Sequence, residues 1–224
     1  MDQGNVILLN GTSSAGKTSI AWALQEIMAT PILHTGFDAP LARFHPKFVT
    51  ICDELNPATS DYVVIVYEGA ATRVEAEYQG EPTVYGTGVL KEVRIGPAAL
   101  KLYAGRYRAI AALAASGLDV VVDDVIFDPG VLALAVEALT DSSVLFVGVR
   151  LPLDVAVQRE RDRGDRGPGG AAAFYDLVHA HGLYDLEVDT SIASPMECAR
   201  RIKEALETGH PRRAIRQLAA TLVP

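Results

Sequence analysis

The segment Gly11-Thr12-Ser13-Ser14-Ala15-Gly16-Lys17-Thr18 decides the fold of this chain. It matches the pattern G-x-x-x-x-G-K-[ST], follows the apolar run Val6–Leu9, and precedes an apolar stripe with helical spacing that starts at Ile20. A strand, a glycine-containing loop and a helix are therefore expected in direct succession. In such a loop the backbone N–H groups face one anion, and the helix N-terminus adds partial positive charge. The segment predicts a site for the phosphates of a nucleoside triphosphate.

The polar side chains of this loop have distinct expected roles. Lys17 would bridge the β- and γ-phosphates, and the hydroxyl of Thr18 would hold Mg²⁺. The other predicted nucleotide contacts in and directly after this segment are Gly11, Thr12, Ser13, Ser14, Ala15, Gly16 and Ser19.

Short runs rich in β-branched residues alternate with helical patterns along most of the chain. The predicted strands are nearly continuously apolar, which is typical of a parallel sheet buried on both faces; they are Val6–Leu9, Ile32–Thr35, Val120–Val122, Val144–Val149 and Leu186–Val188. Helices are expected over Leu100–Ala115, Pro129–Leu139, Leu153–Arg163, Gly170–His181 and Pro195–Glu207, the last with a capping box formed by Ser194 and Glu197. We therefore predict an α/β three-layer sandwich around a mostly parallel five-stranded sheet.

One stretch breaks this alternation. Residues 61–96 contain the runs Tyr62–Tyr67, Thr72–Tyr78 and Val89–Ile95, separated by turn residues, which indicates an inserted β-hairpin unit. Residues 1–60 and 97–224 would then form the core. The insertion either caps the substrate side of the site or forms an interface between copies of the chain.

Composition and charge limit the classes of partner that this chain is expected to bind. The 224 residues suit one α/β domain, and a formal net charge of −8 opposes general attraction to nucleic acid or to an anionic membrane. Cys52 and Cys198 lie far apart without metal-ligand spacing, which favours reduced thiols. The acidic N-terminus and the lack of a long apolar run lead us to expect a cytoplasmic protein that binds neither nucleic acid nor membrane.

Carboxylates follow two of the predicted strands. In parallel sheets, ligands bind beyond the carboxyl ends of the strands. Asp38 follows the second strand and could accept a proton from an acceptor hydroxyl, or simply cap a following helix. Asp123 and Asp124 follow Val120–Val122 and are candidates for the metal shell beside Thr18. Because side chains alternate along a strand, these two carboxylates should point in opposite directions, and the sequence leaves open which one serves the metal.

Arginines cluster before a glycine-rich segment. The predicted helix that contains Arg159 runs into Arg163-Gly164-Asp165-Arg166-Gly167, a pattern typical of a mobile lid over residues 159–170. Arg163 and Arg166 would stabilise charge on the transferred phosphoryl group, whereas Arg159 or Arg161 could stack on the nucleotide base. The alternative is an exposed helix with surface ion pairs.

An ordered set of segments extends beyond the loop: Gly11–Thr18, Gly36–Asp38, Val122–Val125, Val147–Arg150, Arg163–Arg166 and Tyr184–Thr190. Together they resemble the chloramphenicol phosphotransferase-like proteins, a family of P-loop kinases, over residues 5–50 and 97–206. The resemblance implies a P-loop kinase-type fold and ATP- and Mg²⁺-dependent phosphorylation of a small-molecule hydroxyl. It also implies that Asp38 is the general base, that Arg163 and Arg166 lie in the lid, and that Asp189 and Thr190 lie near the adenine.

Three functions are compatible with these features. The first is an O-phosphotransferase acting on a small molecule, such as an antibiotic. The second is a nucleoside monophosphate or metabolite kinase, in which Arg43 and Lys47 would clamp an acceptor phosphate. The third is an ATP-binding regulator without transfer chemistry. The aromatic residues near Asp38, including Phe44 and Phe48, favour an apolar acceptor pocket and thus the first function.

Overall fold

The computed structural model describes residues 3–36, 46–53, 60–69, 73–78, 81–163 and 167–222. Its strands are β1 (Asn5–Asn10), β2 (Ile32–Gly36), β3 (Val49–Asp53), β4 (Val63–Glu68), β5 (Arg73–Tyr78), β6 (Glu81–Gly86), β7 (Val89–Ile95), β8 (Asp119–Asp124), β9 (Ser143–Arg150) and β10 (Leu186–Asp189). Its helices, numbered in chain order, are α1 (Lys17–Ile27), α2 (Pro97–Ala115), α3 (Pro129–Leu139), α4 (Leu153–Arg163), α5 (Gly170–Phe174), α6 (Pro195–Glu207) and α7 (Ala214–Leu222).

Five parallel strands form the central sheet, in the order β10-β9-β1-β8-β2. Successive residues of β1 face opposite sides, so Val6 and Leu8 pack with α2, α3 and α7 while Ile7 and Leu9 pack with α1 and α6. Helices thus cover both faces, which confirms the predicted three-layer α/β fold.

The strand order locates a crevice at the end of β1. The chain leaves β1 toward β2 on one side of the sheet, and it later leaves β8 for β9 on the other side. In such sheets a ligand crevice opens where the direction of the connections reverses, beyond the carboxyl ends of the strands. The loop between β1 and α1 lies at this point.

The inserted unit contains two small sheets. In the first, β3 pairs parallel with β4, and β7 pairs antiparallel with β4. The second is the antiparallel hairpin of β5 and β6. Strand β3 lies before residue 61, so the unit starts earlier in the chain than its sequence pattern predicts. The parallel pairing explains the difference, because such a pair cannot be read from the hairpin signals that mark the later strands.

The predicted helix over residues 170–181 is interrupted. It consists of α5 followed by a 3₁₀ turn at Leu177–His179, and the N–H of Ala180 bonds to the carbonyl of Leu177 at 3.2 Å. The capping box of α6 is confirmed: the Ser194 Oγ accepts from the Glu197 N–H, and the Glu197 carboxylate accepts from the Ser194 N–H. Within the described residues, no helix has the length and apolar character needed to cross a bilayer.

Candidate active site

The phosphate-binding loop is shaped by residues at its two ends. A Cβ on Gly11 would lie 2.6 Å from the carbonyl oxygen of Val149, so only glycine lets the loop leave β1 beside β9. Gly16 has a φ of 86°, a left-handed conformation that favours glycine, and it directly precedes α1. The loop therefore brings its backbone to the N-terminus of a helix, as the sequence predicts.

Lys17 is folded onto this loop. Its Nζ donates hydrogen bonds to the carbonyl oxygens of Gly11 at 3.0 Å and Thr12 at 2.8 Å, and the residue is buried. The ammonium group is therefore held at the loop that precedes it in sequence. An anion within the loop would offer it stronger, charged acceptors than these carbonyl groups.

Thr18 lies next to the end of β8. Its Oγ1 donates a 2.6 Å hydrogen bond to Oδ2 of Asp123, while Nε2 of His34 lies 3.3 Å from the other carboxylate oxygen. Gly36 is the partner of Asp123 in the register of β2 and β8, and a Cβ on Gly36 would come within 2.1 Å of Oδ1. The neighbouring strand thus needs glycine there to admit the carboxylate.

The pair Thr18 and Asp123 has the donor chemistry of a Mg²⁺ site. Hydroxyl and carboxylate oxygens are hard ligands, and Mg²⁺ usually binds one or two carboxylates together with substrate phosphates and water. Among the described residues there is no group of three or more His, Cys, Asp or Glu side chains arranged for a metal. The two protein oxygens of Thr18 and Asp123 fit an ion that takes its remaining ligands from a nucleotide and water.

Asp124 points to the other face of the sheet. Its fully buried carboxylate accepts two hydrogen bonds from Arg106 at 2.8 and 2.9 Å and one from the hydroxyl of Tyr107 at 2.6 Å. Burial lowers the pKa of Arg106, but the charge of Asp124 and its hydrogen bonds, together with the nearby Tyr107 and Tyr103, outweigh burial, and the pKa is raised above its usual value. Burial and then the same carboxylate raise the pKa of Tyr107. The carboxylate of Asp124 is therefore bonded to two side chains of helix α2.

Arg159 and Thr190 pack beside the phosphate-binding loop. The guanidinium donates to Oγ1 of Thr190 at 2.9 Å and to its carbonyl oxygen at 2.7 Å, and Oγ1 in turn donates to the carbonyl oxygen of Ala15 at 2.9 Å. Asp189 accepts from the backbone N–H and the hydroxyl of Ser191. Thr190, the residue directly after β10, thus contacts the phosphate-binding loop through Ala15.

Two of the predicted catalytic residues, Asp38 and Arg166, lie outside the described residues, as do Arg43 and Phe44. Arg163 is the last residue of α4 and is exposed.

Some polar residues at the site were not predicted from the sequence. Asn10, at the end of β1, is fully buried; its amide donates to the carbonyl of Val178 and the hydroxyl of Tyr184, and its oxygen accepts from the N–H of Ile126. A polar residue between an apolar strand and a phosphate-binding loop is the signal that could have identified it. Glu160, in contrast, lies in a run of charged residues that resembles a solvated helix face, yet only 4% of its surface is exposed.

The sheet order, the phosphate-binding loop and the carboxylate beside it define the fold as that of a P-loop kinase. The structure resembles APS kinase of Mycobacterium tuberculosis, solved with AMPPNP and APS, with a TM-score of 0.57 and 15% identity over 92% of this chain and 99% of that one. It also resembles shikimate kinase of Acinetobacter baumannii, solved with shikimate, with a TM-score of 0.53 and 14% identity over 94% and 96% of the two chains. At these identities the likeness establishes the fold alone.

The sequence defines the family more narrowly. Residues 4–207 match the family model described as chloramphenicol phosphotransferase-like protein, and the chain belongs to this family. A Mycobacterium tuberculosis protein, found in two strains and named "Putative O-phosphotransferase", is 32% identical over 209 residues, which cover 92% of this chain and 84% of the relative. Family and fold together support phosphotransferase activity.

Proposed function

We propose that the protein is an ATP-dependent O-phosphotransferase that transfers the γ-phosphate to a hydroxyl group of a small molecule, for example an antibiotic. The observation that carries this proposal is the 2.6 Å hydrogen bond between Thr18 and Asp123, which joins the phosphate-binding loop to the carboxyl end of the neighbouring strand. Such a pair supplies the oxygen ligands that a nucleotide-bound Mg²⁺ requires. The proposal includes a cytoplasmic location, where ATP is available.

Each part of the loop has a role in this proposal. The backbone N–H groups from Gly11 to Ser19 bind the phosphates, and Lys17 exchanges its two carbonyl acceptors for the β- and γ-phosphate oxygens. Thr18 and Asp123 would hold Mg²⁺, and Asp124, through its hydrogen bonds with Arg106, would keep the end of β8 in place. When bound, Mg²⁺ neutralises charge that develops on the phosphate oxygens. Arg159, Asp189 and Thr190 flank the nucleotide base.

Asp38 is the general base in this proposal. The acceptor oxygen forms a bond to the γ-phosphorus while the bond from that phosphorus to the β,γ-bridging oxygen breaks, and ADP leaves. The hydroxyl proton passes to the Asp38 carboxylate. The role rests on family resemblance and on the position of Asp38 shortly after β2, the strand that also carries His34 and Gly36.

The arginines at and beyond the C-terminus of α4 form the second catalytic group in this proposal. Arg163 and Arg166 would stabilise the charge of the transferred phosphoryl group, and an arginine in this role contributes on the order of 10³–10⁵ in rate. Replacing each by alanine separately tests the assignment. A loss of turnover in one variant supports it, and near-normal turnover in both contradicts it.

The site is more compatible with a neutral alcohol as acceptor than with a nucleoside monophosphate. A phosphorylated acceptor would require cations directed at its phosphate. Arg106, in helix α2, already donates two hydrogen bonds to Asp124 at the end of β8. Phe48 and Tyr62 pack together with ring centroids 4.5 Å apart, which supports an aromatic wall at the start of the inserted unit. We propose that this unit caps the acceptor rather than joining two copies of the chain.

A screen of ATP consumption tests the proposal. The purified protein is incubated with ATP, Mg²⁺ and a panel of antibiotics, nucleosides, nucleoside monophosphates and sugars. Turnover with a neutral alcohol supports the proposal, turnover confined to nucleoside monophosphates supports the second candidate, and ATP binding without turnover indicates a regulator. For any acceptor found, Asp38→Asn should abolish turnover and preserve ATP binding. Wild-type turnover in that variant would show that Asp38 is not the base.

A further inference from the structure

Glu160 is a buried carboxylate in α4, although the three residues that follow it, Arg161 to Arg163, are exposed. Its Oε2 accepts a hydrogen bond from the N–H of Gly169 at 2.8 Å, and its Oε1 accepts one from the N–H of Ala171 at 2.8 Å. One carboxylate thus holds the backbone at two positions, Gly169 and Ala171, through charge-assisted hydrogen bonds. We call residues 167–171 the anchor turn.

The anchor turn contacts the phosphate-binding loop on one side. The hydroxyl of Thr12 donates a 2.7 Å hydrogen bond to the carbonyl oxygen of Ala171, and both residues are essentially unexposed. A Cβ on Gly170 would lie 3.5 Å from the Cβ of Ser13, which is ordinary packing contact. Ala171 is therefore bonded through its N–H to Glu160 and through its carbonyl to the phosphate-binding loop.

The anchor turn contacts the inserted unit on its other side. The N–H of Leu90, in β7, donates a 2.8 Å hydrogen bond to the carbonyl oxygen of Pro168. Gly169 has a φ of 111°, and a Cβ there would lie 2.4 Å from the carbonyl oxygen of Leu90 and 2.6 Å from its nitrogen. Strand β7 therefore approaches the turn as closely as glycine allows.

We infer that the inserted sheet positions the phosphate-binding loop, through a path of hydrogen bonds that runs from Leu90 to the anchor turn, Glu160 and Thr12. The inference rests on the proposed function for its catalytic meaning. Glu160 is a positioning residue in it, because its carboxylate is occupied by backbone N–H groups and acts on the nucleotide only through Thr12. The insertion would then serve ATP binding as well as acceptor selection. Its contact with the anchor turn would keep the phosphate-binding loop in a single conformation.

Hydrogen exchange of the full chain without nucleotide tests the path directly. Glu160→Gln replaces one acceptor oxygen by an amino group facing a backbone N–H, and Gly169→Ala forces a Cβ into the backbone of Leu90. In both variants a peptide covering residues 11–18 should exchange about 3- to 10-fold faster, the effect of losing about one net hydrogen bond. Exchange in the helices α3 and α7 should stay at the wild-type rate.

Two matched controls separate the path from generic effects of substitution. Glu137→Gln makes the same chemical change at an exposed helical glutamate. Gly69→Ala imposes a similar backbone strain in the inserted unit, since Gly69 has a φ of 95° and no heavy atom of the described residues lies within 4 Å of its Cβ position. Both controls should leave the exchange of residues 11–18 unchanged.

The result that overturns the inference is faster exchange of residues 167–171 with unchanged exchange of residues 11–18. If Gly169→Ala does not fold, Glu160→Asp replaces it; this variant keeps both oxygens on a shorter side chain and should exchange at a rate between wild type and Glu160→Gln. Calorimetry with ATP is run separately on each variant, and Glu160→Gln should bind about 3- to 10-fold more weakly. A wild-type protein that binds no ATP would contradict the proposed function, whereas the exchange rates alone decide the inference.

Discussion

Thr18 and Asp123 are 105 residues apart in the sequence and are joined by a 2.6 Å hydrogen bond between side chains. Thr18 lies in the first turn of α1, and Asp123 is the fifth residue of β8, where it pairs in register with Leu9 of β1. The parallel alignment of β1 and β8 brings Thr18 and Asp123 close together, because both strands end at the same edge of the sheet. The pair connects the phosphate-binding loop to the rest of the candidate site.

Asp123→Asn should weaken the dependence of ATP binding on Mg²⁺. The amide can still accept the Thr18 hydrogen bond, but it lacks the negative charge that attracts the ion. Calorimetry with and without Mg²⁺ gives the factor by which the ion increases the affinity for ATP. We expect this factor to be on the order of 10- to 100-fold smaller in the variant than in the wild type. Asp119→Asn is the control, since Asp119 begins the same strand and bonds to Asn5 at the opposite edge of the sheet. Full Mg²⁺ dependence in Asp123→Asn would contradict the metal role.

Asp124→Asn should destabilise the protein strongly. The substitution leaves the buried Arg106 guanidinium without its counter-ion, and breaking a buried pair in this way costs about 3–5 kcal/mol of unfolding free energy. Urea denaturation measures the change. Glu137→Gln breaks an exposed ion pair with Arg108 and should change stability little. Equal stability losses in the two variants would show that the buried pair has no special importance.

His179 should make the protein sensitive to acid. Burial, followed by the nearby charge of Arg150, lowers the pKa of His179 from 6.5 to about 4, and burial lowers the pKa of His181 in the same direction. The unfolded chain therefore binds protons more readily than the folded chain between these values. The contribution of the neutral His179 to the free energy of unfolding is fully present above pH 6.5 and is lost as the pH falls toward about 4.

Urea denaturation at a series of pH values checks this prediction. His179→Asn keeps a polar group that can bond to the hydroxyl of Tyr184 but does not titrate, so its unfolding free energy should fall less steeply between pH 6.5 and 4. An identical slope in the wild type and the variant would assign the acid sensitivity to other groups.

Thr190→Val should weaken ATP binding without a large change in fold. Valine has a similar shape, but it leaves the carbonyl of Ala15 and one donor group of Arg159 without their partner. We expect the dissociation constant of ATP to rise by about 5- to 10-fold, in line with a net loss near that of one hydrogen bond. The control is Thr208→Val, at the end of α6, where the hydroxyl donates to the carbonyl of Glu204 in the preceding helical turn. An unchanged ATP affinity would separate Thr190 from the nucleotide site.

Much of the fold follows from local patterns. The runs that end at Leu9, Val122 and Val149 are apolar on both faces, and only the interior of a helix-covered parallel sheet satisfies such residues. The phosphate-binding loop is equally local, because its glycines, Lys17 and Thr18 act within a single turn of the chain. The Ser194 and Glu197 capping box of α6 is local as well, since its groups lie within three residues of each other.

The inserted unit shows where local patterns are insufficient. Strand β3 belongs to it through a parallel pairing with β4. Hairpin turns in the sequence predict antiparallel neighbours and therefore do not predict this pairing. The break in the helix predicted over residues 170–181 likewise depends on contacts with other parts of the chain, including the bond from the Tyr175 hydroxyl to the carbonyl of Leu151.

By itself, the sequence determined the parallel α/β sheet, the phosphate-binding loop and the pair of candidate carboxylates after β8, because each depends on residues close together in the chain. Only the tertiary structure decided that Asp123 meets Thr18 while Asp124 is neutralised by Arg106. It also decided that Glu160, in a run of charged residues, is buried against the anchor turn. The physical reason is the same in both cases: a carboxylate takes its role from the donors that surround it, and those donors come from distant elements that only packing brings together.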